Sequence, residues 1–217
     1  MRYCEQTAPY FAARRLILTD VGAAHAIYDS IGRDGVWADD ASLRCLVRHG
    51  EVWGGFSAGS LQLCGGLCAI NTKIPLCDAL RDAELHCGDS MVFLPPVCLP
   101  DSSRYAAAFL DMLLARFVYL GASDAVLPLP VKTGAALLPA IFGAGFSMVA
   151  VRPLVQLRPH YIFCKSKMKN NIKNSIMVQT SDTLALARLL ENGYVACGMS
   201  KEVFYLRDGK NDEISNP

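Results

Sequence analysis

Charge is scarce in this sequence: 19% of its 217 residues are charged, whereas 52% are hydrophobic. The 21 basic and 20 acidic residues nearly cancel, which leaves a formal net charge of +1. Such a balance offers no general electrostatic basis for binding nucleic acid, a membrane surface or a strongly acidic partner. The length and the hydrophobic content predict a globular chain with a sizeable core, in which any charged ligand is bound by local groups.

An export signal is also lacking, because the start from Met1 to Thr7 has no apolar core. The chain has nine cysteines, and an odd number without an export signal predicts reduced thiols and a cytoplasmic location. The nearest approach to a metal pattern is Cys64-x3-Cys68 followed by Cys77 and His86-Cys87, whose gaps do not match zinc or iron-sulfur spacing. We therefore expect no metal, with Cys64 and Cys68 as small core residues of a strand.

Several motifs of nucleotide-binding and hydrolytic enzymes are absent. No Gly-x-Gly-x-x-Gly follows a strand pattern, and there is no Gly-x4-Gly-Lys-Ser/Thr loop. The run Gly55-Phe-Ser-Ala-Gly59 has the letters of a nucleophile elbow, but it lies where the chain turns into an antiparallel strand. An elbow needs a strand that turns into a helix, so this context argues against a serine hydrolase.

One long segment, Thr133 to Val151, carries no charge and is nearly as long as a membrane span. Small residues and Pro139 dominate it, and Gly143-Ala-Gly145 would end a helix partway along. The segment therefore predicts a buried helix, a glycine stop and a buried strand in place of a membrane span.

The N-terminal part of the sequence predicts two helices followed by a hairpin. A short strand from Arg15 to Leu18 leads to Thr19-Asp20, a helix cap, and a second helix runs from Asp39 to His49 and ends at Gly50. Glu51 to Ser57 and Leu61 to Ile70 then read as a β-hairpin, with Gly54-Gly55 opposite Gly65-Gly66. After the hairpin, Asn71 to Asp89 reads as a polar insertion with a short helix around Cys77 to Leu85.

The central part alternates strands and helices. A strand from Ser90 to Pro100 leads into a helix from Ser102 to Tyr119, and a strand from Ala125 to Pro130 leads into a helix that begins at Thr133. A further strand runs from Ser147 to Val155, which gives an α/β order. The start of a helix presents unpaired N–H groups and a partial positive charge, so the junction after Ser90 to Pro100 suits a ligand that bears a nucleotide pyrophosphate.

The C-terminal part repeats the order of strand, helix, glycine and strand. Ile176 to Ser181 predicts a strand and Asp182 to Asn192 a helix, and Gly193 follows 48 positions after Gly145. The agreement lies in pattern more than in identity, so a common β-α-β arrangement and a true duplication both explain it. Lys165 to Lys173, between the two units, is basic and reads as a solvated connector or an anion-binding segment.

The whole order from Arg15 to Lys165 resembles the GCN5-related N-acetyltransferase (GNAT) superfamily. The resemblance implies an α/β fold of α+β type, with a mixed, mostly antiparallel sheet, splayed central strands and helices on both faces. It divides the chain into residues 1–165, a GNAT-like acyl-CoA-binding domain, and residues 166–217, a linker and a C-terminal β-α-β extension packed on that domain.

In that family, the strand that corresponds to Ser90–Leu99 splays from the strand that corresponds to Ala125–Leu129, and acyl-CoA enters the gap. The resemblance therefore implies acetyl-CoA or another acyl-CoA as co-substrate. The signature of the pyrophosphate loop is Gln or Arg, two residues, Gly, one residue, then Gly or Ala. In this chain Ser103 stands at the first position, Ala106 at the Gly and Ala108 at the permitted Ala. The cofactor-binding residues that the resemblance implies are Val97, Cys98, Leu99, Ser103, Arg104, Tyr105, Ala106, Ala107 and Ala108.

The catalytic residues stay open at this point. Family members commonly carry a tyrosine about four residues before the Gly-Phe pair, where this chain has Ile141 and, in the tail unit, Leu189. Glu51, Glu84 and Asp89 are carboxylates that could act as a general base, and His86 is an equally ordinary candidate.

Two functions follow from the resemblance. The first is an acetyl-CoA-dependent N-acyltransferase, in which a deprotonated small-molecule amine or peptide attacks the thioester directly, with strand N–H groups near Val97 to Leu99 stabilising the oxyanion. The second is a GNAT-fold binding or assembly module without transfer activity. The tail unit completes the sheet, binds the acceptor or mediates a homodimer through an edge strand.

Overall fold

The computed structural model describes residues 11–30, 39–85, 90–122, 124–131, 135–154, 158–165 and 175–209. Its strands are β1 Phe11–Arg15, β2 Glu51–Ser57, β3 Ser60–Ala69, β4 Met91–Cys98, β5 Ala125–Pro130, β6 Ser147–Pro153, β7 Pro159–Lys165, β8 Ile176–Gln179, β9 Tyr194–Ser200 and β10 Val203–Asp208. Its α-helices are α1 Val21–Ser30, α2 Asp40–His49, α3 Pro75–Asp82, α4 Ala106–Tyr119, α5 Leu138–Gly143 and α6 Thr183–Glu191. Short 3-10 turns at Leu18–Asp20, Pro100–Tyr105 and Ala135–Leu137 precede α1, α4 and α5.

The ten strands found among the described residues form one sheet in the order β1-β2-β3-β4-β5-β7-β6-β9-β10-β8. Neighbouring strands pair antiparallel except β4 and β5, which run parallel. Helices cover both faces. The mixed sheet and the helices on both faces confirm the predicted fold class.

The two faces of the sheet carry separate cores. On the first, which we call the α1 face, α1, α2 and α3 pack over buried side chains that include Cys64, Leu94 and Ile162. On the second, the α4 face, α4, α5 and α6 pack over side chains that include Phe93 and Phe163. Successive side chains along a strand point to opposite faces, so each strand contributes to both cores.

The helix ends predicted around α2 are confirmed. The Asp39 carboxylate accepts a hydrogen bond from the Ser42 N–H at 2.8 Å, and the Gly50 N–H donates to the Leu46 carbonyl at 2.8 Å. A side-chain cap of this kind stabilises a helix by about 1 kcal/mol. These boundaries depend on a few consecutive residues, which is why the sequence predicts them well.

Other boundaries differ from the prediction. The first strand lies earlier than Arg15 to Leu18, at Phe11–Arg15, because the chain turns after Leu16 into a 3-10 turn that leaves Ile17 exposed. The short helix of the insertion begins at Pro75, two residues before Cys77, because proline at the first helical position needs no hydrogen-bond acceptor.

The glycines of the hairpin also lie differently. Gly65 pairs with Trp53 and Gly66 with Val52, whereas Gly54 faces Cys64. The sequence showed the two strands but not their register, so the predicted pairing of Gly54-Gly55 with Gly65-Gly66 is wrong. The predicted Thr133 cap lies outside the described residues.

The C-terminal unit repeats the arrangement of the unit before it. The first unit is β5-α5-β6-β7 and the second is β8-α6-β9-β10, and in both the third strand in sequence lies between the other two in the sheet. Gly145 and Gly193, which follow α5 and α6, have positive φ angles of 83° and 90°. The glycine stop predicted after the buried helix is therefore confirmed, and it recurs 48 positions later.

A pseudo-twofold axis relates the two units. They meet where β6 pairs antiparallel with β9, and the paired residues are Met148 and Ala196, which are themselves 48 positions apart. Each unit also has one extra residue in its hairpin, Val149 in β6 and Cys197 in β9, again at equivalent positions. The repeat therefore extends to the irregularities of the strands and is a structural one.

None of the described helices is long and apolar enough to cross a bilayer. The uncharged segment that begins at Thr133 instead contains α5, the turn at Gly145 and most of β6. In the described part of this segment, a buried helix and strand thus stand as the sequence predicted.

Candidate functional site

A gap separates β4 from β5 along most of their length. Only two register pairs join them among the described residues, Met91 with Ala125 and Val92 with Val126. Beyond these pairs β4 stays paired with β3 as far as Cys98, and β5 stays paired with β7 as far as Pro130. The two central strands therefore splay apart toward their C-terminal ends, and a ligand can take the place of the missing ladder.

A bulge in β4 shapes one wall of this gap. Leu94 lies opposite Gly66 and Val97 lies opposite Cys64, so β4 has one residue more than β3 in this interval. Pro95-Pro96 occupies the bulge. Proline has no N–H to donate, and bulges are among the places in a sheet where it is tolerated.

The bulge also reverses which way the backbone of β4 faces. Before it, the Met91 N–H donates toward β5, to the Asp124 carbonyl at 3.0 Å. After it, the Leu99 N–H donates toward β3, to the Gln62 carbonyl at 2.9 Å. Because N–H and C=O groups alternate in direction along a strand, the main chain of Cys98 faces the gap and its two neighbours face β3.

The strand-to-helix junction follows at once. The 3-10 turn Pro100–Tyr105 runs directly into α4, so the helical N–H groups begin close to the open end of the gap. Four of the six residues matched to the pyrophosphate loop have exposed side chains, namely Ser103, Arg104, Ala107 and Ala108. Ala106 is 3% exposed, so its methyl group points into the protein and away from any ligand in solvent.

Arg104 lies on a small aromatic stack. The Tyr105 ring stacks on the Phe11 ring with centroids 4.3 Å apart and planes 14° from parallel, and the Arg104 guanidinium lies 4.8 Å from the centroid of Tyr105. A cation over an aromatic face is attracted by the ring quadrupole. This contact places an exposed positive charge beside the start of α4, where it can add to the helix dipole.

The α1 face of the gap carries two buried polar side chains that the sequence did not single out. Tyr28 of α1 accepts a hydrogen bond from the Cys64 thiol at 3.7 Å. Burial raises the pKa of Tyr28 well above its ordinary value and raises the pKa of Cys64 to about 12. Both groups therefore stay protonated at neutral pH.

His160 of β7 is the second such residue. Its side chain is fully buried, and its Nδ1 lies 2.8 Å from the Arg158 carbonyl oxygen. Its Nε2 is also buried and has no hydrogen-bond partner in the described part of the chain. Burial is the main cause that lowers the pKa of His160, so its neutral form is favoured.

The carboxylates considered from the sequence lie elsewhere. Glu51 binds Arg116 with two hydrogen bonds, of 2.5 and 2.6 Å, and the guanidinium holds the pKa of Glu51 below its ordinary value. Glu84 lies just after α3 with a positive φ of 54°. Both lie toward the end of the sheet where β4 begins, away from the open end of the gap. Asp89 and His86 lie outside the described residues.

The positions of the family tyrosine hold apolar side chains in the core of the α4 face. Ile141 is fully buried in α5, and Leu189 of α6 is partly buried against the same core. Among the described residues no three His, Cys, Asp or Glu side chains come together in a way that could hold a metal ion. Cys64 and Cys68 are buried in β3, which confirms them as core residues.

The sequence missed His160 and Tyr28 because their significance depends on register and packing. Neither residue belongs to a sequence motif, and the strand that contains His160 was not predicted as a separate element. The sequence contains a partial signal, because His160 stands directly before the apolar run Tyr161-Ile-Phe-Cys164 and a histidine at such a position is unusual. Its neighbours could not be known until β7 was placed next to β5.

No family model and no curated protein sequence matches the chain. Solved structures do resemble it. An N-acetyltransferase from Staphylococcus aureus Mu50 is 6% identical with a TM-score of 0.55, over 72% of this chain and 97% of that one. YncA, a putative acetyltransferase from Salmonella typhimurium solved with its cofactor acetyl-CoA, is 12% identical with a TM-score of 0.55, over 74% and 95% of the two chains.

A putative acetyltransferase of the GNAT family from Desulfovibrio desulfuricans is similar in the same way. It is 12% identical with a TM-score of 0.54, over 72% of this chain and 99% of that one. The chain therefore has the GNAT fold, as the sequence resemblance predicted.

Proposed function

We propose that this GNAT-fold protein is an acyl-CoA-dependent N-acyltransferase, with acetyl-CoA or another acyl-CoA as co-substrate. The observation that carries the proposal is the gap between the parallel strands β4 and β5, which leads directly into the start of α4. YncA, whose fold is similar, has been solved with its cofactor acetyl-CoA.

Different residues of the junction would bind different parts of acyl-CoA. The main chain of Cys98 faces the gap and would hydrogen-bond the pantetheine arm, while Val97 and Leu99 hold β4 to β3 on either side of it. Ser103, Ala107 and Ala108 leave the first turns of the helical segment open to solvent, so a pyrophosphate can approach their N–H groups. Arg104 would add a charge-assisted contact, and Tyr105 holds Arg104 in place.

Transfer itself needs the acceptor amine and the thioester to meet in the gap. The nitrogen lone pair of the amine attacks the thioester carbonyl carbon, the C–S bond breaks and CoA leaves as the thiol. Holding both reactants in one cleft supplies much of the rate, because a reaction between two molecules becomes effectively unimolecular. The acceptor would be a small-molecule amine or a peptide, in a cytoplasmic protein.

The tail unit completes the sheet at β6, and its outer strand β8 is an edge of the sheet in the part of the chain that the structure describes. Ile176 and Met177 of this strand are 41% and 69% exposed. An apolar edge strand offers unpaired N–H and C=O groups to another chain. We propose this edge as the contact of a homodimer, which sizing chromatography of a Met177→Lys variant would test.

A second function is favoured by specific observations. Pro95-Pro96 removes two N–H donors from the wall of the gap, and Ile141 takes the place of the family tyrosine. Both changes remove groups that could donate a hydrogen bond or a proton during transfer, but neither closes the gap. A GNAT-fold module that binds acyl-CoA but transfers nothing is therefore the alternative.

Thermal-shift titration with acetyl-CoA, CoA and, as a control, ADP tests the proposal, since a ligand that binds the native state alone raises the melting temperature. We expect a shift with both CoA ligands. An Arg104→Ala variant should bind about tenfold more weakly, because it loses one charge-assisted contact worth about 1.5 kcal/mol. Arg188→Ala, on the exposed side of α6, is the matched control and should bind as the wild type does.

Each outcome has a defined meaning. No shift at millimolar acetyl-CoA rejects the transferase and the acyl-CoA-binding module, and leaves an assembly module without acyl-CoA. A shift with no release of free thiol on addition of phenethylamine, spermidine or an alanyl peptide selects the binding module. Thiol release that depends on the amine selects the transferase.

A further inference from the structure

The buried Nε2 of His160 is the least explained polar atom near the gap. A polar group buried without a hydrogen-bond partner costs about 1 to 3 kcal/mol. Native proteins satisfy nearly all such groups, and an exception calls for an account such as a catalytic role. His160 has no exposed surface, so water in bulk does not satisfy this nitrogen.

The hydrogen bond at the other ring nitrogen determines the tautomer. The Arg158 carbonyl oxygen can only accept, so at 2.8 Å from it the Nδ1 atom must carry the hydrogen. In the neutral ring the lone pair is then on Nε2. His160 is therefore held as an oriented proton acceptor.

The register of the strands places His160 one strand away from the gap, with β5 between them. Counted from the Met91–Ala125 pair, and allowing for the extra residue in the bulge, Val97 lies level with Pro130. Pro130 is paired with His160 in β7. His160 thus lies one strand away from the gap, in the same row as Val97 on its opposite wall.

The face of the sheet is the same for all of these residues. Val97 packs with the α1-face core, as does Ile162, which lies two residues after His160 in β7. Side chains two apart on a strand share a face, so His160 also lies on the α1 face. Tyr28 and Cys64 lie on that face on the β3 side of the gap.

We propose that His160 is the general base of the transfer, and that its Nε2 takes a proton from the ammonium group of the acceptor as this group enters the gap from the α1 face. The inference rests on the proposed acyl transfer. It also gives the acceptor a chemical class: a primary amine on an apolar carrier, because the core on this face, which includes Ile162 in β7 and has Val97 packed against it, is apolar.

The ammonium group gives one proton to Nε2, and His160 becomes an imidazolium. The nitrogen lone pair then forms the C–N bond, the C–S bond breaks, and a second proton from nitrogen goes to the departing sulfur to give the thiol. The imidazolium afterwards gives its proton to a water molecule that takes the place of the amine at Nε2.

The ionisable groups around His160 favour its neutral form. Arg158, which precedes β7, is a neighbouring positive charge and disfavours an imidazolium. Arg152 of β6 is paired with His160 in register, and its side chain is bound to Glu191 at 2.9 Å. Tyr28 and Cys64, across the gap, stay uncharged.

The test compares His160→Asn with His160→Gln and with a His49→Gln control at the end of α2. Asparagine retains a donor for the Arg158 carbonyl but has no atom in the place of Nε2, and glutamine has no basic nitrogen. We expect both His160 variants to lose about 100-fold in kcat with phenethylamine, the lower end of what a general base contributes, and to keep the acetyl-CoA thermal shift. In the wild type kcat/KM should fall at acid pH as His160 is protonated, and this acid limb should be missing from both variants.

The outcomes separate this inference from the proposed function. If the wild type binds acetyl-CoA and releases thiol, while both His160 variants keep its rate and its acid limb, the inference is wrong and the transferase stands. If the wild type shows no binding, the proposed function fails and the inference with it.

Should the variants unfold, nitrogen-15 NMR of labelled histidine in the wild type gives the answer. With CoA bound, addition of phenethylamine should shift the resonance of an unprotonated Nε2. An unchanged resonance overturns the inference.

Discussion

Replacement of Gly145 by alanine should destabilise the protein, because this residue ends α5 in a conformation that side chains disfavour. The Gly145 N–H donates to the Phe142 carbonyl at 2.9 Å, and the Phe146 N–H donates to the Ile141 carbonyl at 3.3 Å. These two bonds define a Schellman motif, which requires a left-handed residue at the position of Gly145. Its φ of 83° meets this requirement.

The magnitude follows from the conformation and from the space around the residue. A left-handed backbone costs a residue other than glycine about 1 to 2 kcal/mol. A Cβ at Gly145 would lie 3.3 Å from the Lys165 Nζ, the movable end of a flexible side chain, so steric overlap adds little. We therefore expect Gly145→Ala to lose about 1.5 kcal/mol, which corresponds to a fall in Tm of about 3 to 6 °C for a chain of this size.

Gly143→Ala is the matched control. Gly143 is the last residue of the same helix, its φ is not positive, and a Cβ there would meet nothing within 4 Å. Alanine has the higher helix propensity, so this variant should gain up to about 1 kcal/mol. The two variants should thus change stability in opposite directions, although only one residue separates their positions.

Urea unfolding followed by circular dichroism measures both effects, with the m-value checking that the extent of unfolding is unchanged. The structural repeat adds a third variant, Gly193→Ala, which should lose about as much as Gly145→Ala. Equal stability of Gly143→Ala and Gly145→Ala would refute the reasoning about the helix end. A stable Gly193→Ala beside an unstable Gly145→Ala would refute the equivalence of the two turns.

Three more predictions use the same unfolding measurement. Glu84→Gly should gain about 1 kcal/mol, because glycine relieves the positive φ of 54° after α3, and a loss would contradict this. Ala106→Gly should lower the free energy of unfolding by about 2 kcal/mol, since a buried methyl group and helix propensity are both lost. Ala108→Gly, at an exposed position of the same helix, should lower it by only about 1 kcal/mol. Equal losses would show that the Ala106 methyl group is not packed. Glu51→Gln should be less stable than the wild type at neutral pH. The difference should shrink as the pH falls below the ordinary Glu value of 4.5 and through the lowered pKa that Arg116 imposes, because protonation then removes the same charge from the wild type; a difference that does not change with pH would exclude the ion pair as its cause.

Local signals in the sequence predicted much of the fold. Caps and stops such as Asp39, Gly50 and Gly145 depend on a few neighbouring residues, and the order of strands and helices follows from the period of the apolar residues. The strands β7 and β10 were not predicted as separate elements. Each is a return strand whose place in the sheet depends on distant partners, and short apolar strands carry little periodic information of their own.

The candidate site shows the same division. The sequence indicated the strand-to-helix junction at Pro100, and Arg104 stands exposed there as an anion contact would require. It could not indicate that the methyl group of Ala106 points into the protein or that the Leu99 N–H donates to the Gln62 carbonyl. Nor could it indicate that His160 lies one strand away from the gap. Each of these facts depends on the bulge in β4 or on the pairing of β5 with β7, and neither is encoded in the spacing of residues along one element.

The pairing of β6 with β9 also gives this chain the internal symmetry of a homodimer. In a symmetric homodimer that extends a sheet, each subunit offers the same strand, and a residue near the axis meets its own copy. Met148 and Ala196 meet in this way, but within one polypeptide. The second unit therefore takes the place of a partner subunit at β6 and covers an edge strand that would otherwise be open to another molecule. A substitution in a homodimer changes both subunits, but here the two units are separate segments of one chain, so each can change without the other.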